Sequence, residues 1–156
     1  MFEMSLIYLI GISVPESLLF VWAFYTLSQT PINIKRFFLS VIVNFTLVCG
    51  VRLLPIDFGI HTLLLIAAYI FTNILINKIN LITSILVTIS VIIIQFISEF
   101  IDLFIIGHIL KYNMEYILSN HVAKVLSGLP AFIFFAFFVV LAKMAISKVQ
   151  SKNYNK

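Results

Sequence analysis

The stretch LITSILVTISVIIIQFISEFIDLFIIG, residues 81–107, decides what kind of protein this is. A helix crosses the hydrocarbon core of a bilayer in roughly 20 apolar residues. This stretch is longer, so as a membrane span it must tilt or protrude. Its charged residues, Glu99 and Asp102, fall in its later half together with Gln95 and Ser98. Charge inside a span is costly, so it turns to the protein interior, finds a partner and marks a working site.

Four further apolar segments flank it. The spacing predicts spans over about 4–28, 37–54, 60–77 and 128–146 besides 81–107. The first carries Pro15 near its middle, where the missing backbone donor predicts a kink. The loop Gln29 to Arg36 separates it from the second, which Pro55 ends. Lys78-Ile79-Asn80 is a minimal connection into span four. Between spans four and five, Leu110, Met114, Ile117, Leu118, Val122 and Val125 recur at mostly helical spacing. The polar residues lie largely off that face, so 108–127 is expected to be an interfacial amphipathic helix lying on the bilayer. The expected fold is thus all-α, a polytopic transmembrane bundle of about five spans plus one interfacial helix. Residues 1–146 form the membrane domain and 147–156 a basic cytoplasmic tail.

Composition supports this architecture. Hydrophobic residues are 62% of the 156, Phe numbers 16 and charged residues are only 10%, which leaves no room for a soluble catalytic or DNA-binding domain. The first segment lacks a basic start and carries Glu3 and Glu16, unlike a cleaved signal peptide. With so few charges, the net +4 reports membrane orientation rather than nucleic-acid binding, and no nucleic-acid partner is expected. With five spans, Lys35, Arg36, Lys78, Lys143, Lys148, Lys152 and Lys156 fall on the side of the C-terminus, and Arg52, Lys111 and Lys124 on the other. Positive residues favour the cytoplasm, so the expectation is an integral cell-membrane protein, N-terminus outside and C-terminus inside.

That topology gathers the polar residues in the outer half: Glu16, Arg52, Asp57, His61, Glu99 and Asp102. Glu16 follows a proline kink and is either a ligand, proton or cation site, or a neutral carboxyl hydrogen-bonded to another helix. Arg52 stays charged and offers a planar fork of donors. Glu99 and Asp102, three apart, share a helix face. Two acids on one face repel without a cation, so pairing of Arg52 with Glu99 or Asp102 is expected over separate snorkelling to the headgroups. His61 either caps nearby backbone or senses pH. Trp22, Tyr25 and Tyr112 are expected as interface anchors, and the run Phe132 to Phe138 as lipid-facing.

Other chemistries lack their residues. Cys49 is the single cysteine, and His61, His108 and His121 show no ligand spacing, so neither metal nor cofactor is expected. There is no GxSxG, no phosphate loop, and no nucleophile beside a base, so no enzymatic activity is expected.

Val14-Pro15-Glu16-Ser17-Leu18-Leu19, and Arg52-Leu53-Leu54-Pro55-Ile56-Asp57-Phe58-Gly59-Ile60-His61-Thr62-Leu63-Leu64, carry a resemblance. The chain resembles the N-terminal membrane sensor region of Firmicute histidine kinases with GHKL-type ATPase domains. In those kinases a multi-helix membrane domain receives an extracellular signal, sometimes a peptide, and passes it to a phosphoacceptor histidine and an ATP-binding domain. No phosphoacceptor helix and no asparagine-containing ATP box occur here, so kinase activity is not carried over. The resemblance implies a receptor-like membrane domain without its output domain, either a truncated sensor or a free-standing subunit. Its expected partners are the lipid bilayer, a histidine kinase or other membrane protein, and further copies of itself. The alternative expectation is a small transporter subunit or ion-conducting oligomer with Glu16 as its ion or proton site.

Overall fold

The computed structural model describes residues 6–54, 58–109 and 121–154. Among them all regular structure is helical: α1 (Leu6–Ser28), α2 (Ile34–Leu53), α3 (Phe58–Leu75), α4 (Leu81–Phe104) and α5 (His121–Tyr154). A π-helical turn, Ile105–Ile109, prolongs α4. The protein is an all-α helical bundle.

Local chemistry explains the helix starts. The Asn33 side chain accepts from the Arg36 N–H at 3.2 Å, and Asn80 accepts from the Thr83 N–H at 2.8 Å. Each asparagine satisfies a donor that the first turn leaves without an intrahelical partner. Helix ends use left-handed residues. Gln29 follows α1 with φ 54° and Lys78 follows α3 with φ 59°, reversing the chain so that Thr30 N–H reaches Tyr25 C=O and Ile79 N–H reaches Asn73 C=O.

In the bundle α1 packs on α2, α4 and α5, α3 packs on α2 and α4, and α5 also packs on α4. The buried layer midway along α1 is aromatic: Phe20 stacks on Phe135 at 5.4 Å and meets the edge of Tyr69 at 5.5 Å, with Phe24 alongside. Val48, Val87, Val91 and Val139 complete it.

Polarity is arranged as a membrane demands. On α4 the buried residues are Ser84, Val87, Thr88, Val91, Gln95, Ser98 and Asp102, a single face at spacings near three and four. The opposite face is apolar and bare, with Phe100 71% and Ile82 72% exposed. Polar side chains inside and apolar ones outside suit hydrocarbon surroundings, where small and polar residues join helices. Residues 34–52, 81–108 and 126–149 are long and apolar enough to cross a membrane, and 59–75 is a shorter apolar helix. The protein is therefore a membrane-embedded bundle.

Several expectations change. The last helix begins at His121 rather than Gly128 and runs to Tyr154. It takes in the end of the expected interfacial helix and most of the expected tail. Pro130 consequently sits inside this helix. Residues 108 and 109, the start of the expected interfacial helix, belong to the π-helical turn that prolongs α4, and residues 110–120, Tyr112 among them, lie outside the described residues. Tyr25 is no interface anchor, being 1% exposed and hydrogen-bonded in the core. Trp22 packs against the core from the side. The phenylalanine run is divided: Phe135 is fully buried while Phe137 faces outward.

Candidate functional site

Arg52 closes α2, and its side chain turns to α1. Nη2 donates to Glu16 Oε2 at 2.9 Å, and Nη1 donates to Ser13 Oγ at 2.8 Å. Ser13 and Glu16 are three residues apart, so one helix face presents both acceptors to the guanidinium fork. The side chains retain 26% exposure on Arg52 and 14% on Glu16. The ion pair therefore sits mostly inside the bundle and joins α1 to α2.

The expected pairing of Arg52 with Glu99 or Asp102 is not made. Helices α1 and α3 are the main neighbours of α2, whereas α4 packs on α1, α3 and α5. Arg52 therefore meets the acid of the adjoining helix, not those of α4. Glu99 is exposed, and its Oε1 accepts from Gln95 Nε2 at 2.7 Å. It lies in the same half of the bundle as Glu16 and Arg52. Asp102 is buried, and its Oδ1 has no hydrogen-bond partner among the described residues. His61, in the first turn of α3, places Nε2 3.3 Å from the Leu54 carbonyl oxygen. Asp57 lies outside the described residues. The site thus consists of Ser13, Glu16 and Arg52 in contact, with Asp102 buried on the inward face of α4, Glu99 exposed a turn before it and His61 bonded elsewhere.

A second polar cluster occupies the other half of the bundle. Asn77 Oδ1 accepts from Tyr25 Oη at 2.8 Å and from Ser40 Oγ at 2.6 Å. Asn77 Nδ2 donates to Asn73 Oδ1 at 3.0 Å, and Asn73 Nδ2 reaches Thr88 Oγ1 at 3.4 Å. One asparagine chain thereby ties α1, α2, α3 and α4 together. Sequence reasoning missed it. The available signal was Asn73 and Asn77 at an i, i+4 spacing within an apolar segment, matched by Ser84 and Thr88 in the next.

Chemically, the Arg52 site offers a charged fork held by two acceptors. Such an arrangement can exchange partners with an incoming anion, or release Glu16 to an incoming cation. Among the described residues no group of three or more His, Cys, Asp or Glu could hold a metal ion. The chain matches no protein-family model, no curated protein and no solved structure.

Proposed function

We propose that this protein is a sensory or binding module of the cell membrane that acts through a partner protein. The observation that carries the reading is the Arg52 fork shared between Ser13 and Glu16. It joins α1 to α2 through a charged contact that a small signal can compete for. A signal alters the bundle only if it favours one arrangement of this contact over another. Loss of the Glu16 contact removes the charged tie between α1 and α2, and α1 packs directly on α5. Motion at the pair then reaches the long helix whose later half carries Lys143 and Lys148.

The proposed orientation has the Arg52 pair towards the outside, with Lys35, Arg36, Lys78 and the end of α5 towards the cytoplasm. The proposed partner is a histidine kinase or another membrane protein, and the resemblance of residues 14–19 and 52–64 to kinase sensor regions supports that choice.

Cross-linking in native membranes tests the proposal. The wild-type chain is expected to capture a membrane partner, and Glu16→Gln to change the yield at equal expression. Isolation of the chain alone, together with proteoliposome ion flux that Glu16→Gln abolishes, would replace the sensory reading with a transporting one.

A further inference from the structure

The turns at the end of the bundle remote from Arg52 hold a pocket that plays no part in the proposed sensing. The α1–α2 turn and the α3–α4 turn enclose this open pocket of about 380 Å³, lined by Tyr25, Thr30, Asn33, Arg36, Asn77 and Lys78 among others. Two of these residues are cationic and none is acidic. Neither Arg36 nor Lys78 forms an ion pair with a described residue. The acids Glu16, Glu99 and Asp102 belong to the opposite half of the bundle, so no described carboxylate neutralises this end.

The pocket is built rather than incidental. Its inner wall is the Tyr25–Asn77 hydrogen bond, at 2.8 Å, itself held by Ser40 and Asn73. Lys78 sits on a left-handed turn residue, and Arg36 in the first turn of α2 under the Asn33 cap. Both cations are thus carried by backbone of defined shape at the ends of helices. Asn33 and Arg36, at the N-terminal end of α2, line the same space, and that end of a helix carries positive potential.

We propose that this pocket binds a phosphate-bearing anion, with Arg36 supplying a planar fork of donors and Lys78 a point charge. Arginine matches phosphate oxygens in pairs, and lysine adds attraction without strict geometry. At the boundary of membrane-embedded helices, basic pockets meet phospholipid headgroups. A free phosphate presents the same chemistry, and the experiment separates the two.

Purified full-length protein in neutral detergent micelles is titrated with dioctanoyl phosphatidylglycerol, dioctanoyl phosphatidylcholine or inorganic phosphate. Thermal unfolding is followed through Trp22 fluorescence. The anionic lipid is expected to bind roughly thirty-fold more tightly than the zwitterionic one, about five-fold from each cation. R36Q/K78Q should abolish that preference, while K35Q, which changes a basic residue outside the pocket lining, should keep it. Stabilisation by inorganic phosphate, with displacement of the anionic lipid, supports the same pocket with free phosphate as its ligand. Equal binding of both lipids by the wild type without a phosphate response overturns the proposal, and that comparison needs no variant. An anionic preference that survives R36Q/K78Q overturns it too, since general surface charge would then be the cause. If the double variant does not fold, R36Q and K78Q are read singly, each expected to weaken the preference by about five-fold.

Discussion

Removing Arg52 would leave Glu16, whose side chain is 14% exposed, without its cation, and Ser13 without its donor. Stranding one member of a largely buried pair costs about 3 kcal/mol. Arg52→Ala is therefore expected to unfold earlier in denaturant titrations in micelles. Arg52→Ala with Glu16→Gln should recover most of the loss, because the stranded charge is gone. Arg52→Ala with Glu99→Gln and Asp102→Asn should not, since those acids do not hold the guanidinium. Asn44 makes the opposite case. It is fully buried, and neither end of its amide has a hydrogen-bond partner among the described residues. An unsatisfied buried amide costs free energy, so Asn44→Leu is expected to be neutral or stabilising in the same assay. At this scale the chain discloses chemical type but not pairing. Glu16 and Arg52 stand out because charge is rare in apolar segments. Which acid Arg52 meets depends on α2 lying beside α1, and no residue spacing within α2 records that.

Helices begin where short polar side chains face the chain's own amides. Asn33 starts α2 at Ile34, three residues before the apolar run that marks the span in sequence. Apolar content delimits what lipid can cover, whereas a helix extends as far as caps and packing carry it, so α5 overruns its apolar stretch at both ends. At the end of α1, Gln29 holds φ 54°. A side chain in that region costs about 1 kcal/mol relative to glycine. Gln29→Gly is expected to raise the unfolding midpoint by a corresponding amount, and Gln29→Val to lower it, because a β-branched residue fits the left-handed region worse still. Helical circular dichroism against temperature reads both.

The bundle as a whole was legible from the apolar segments, because the alternation of long hydrophobic stretches and short polar turns admits few other architectures. Its interior was not. The buried Asn73–Asn77 chain and the Phe20–Phe135 stack arise from which faces meet, and an apolar helix carries little periodic contrast to announce them. Phe135 is fully buried at the centre of that stack. Phe135→Ala is expected to cost about 3 kcal/mol and to lower the unfolding midpoint, whereas Phe137→Ala, on the outward face, should change it little. The aromatic layer lies between the Arg52 contact and the asparagine chain, and it has a mechanical corollary. The packed rings of Phe20, Phe24 and Phe135 carry no polar atoms along which protons or ions could hop. An event beside Arg52 is then expected to travel along α1 as displacement, one rigid rod sliding or tilting against the next, so tightening the ring stack should mute the response even with every charged residue untouched.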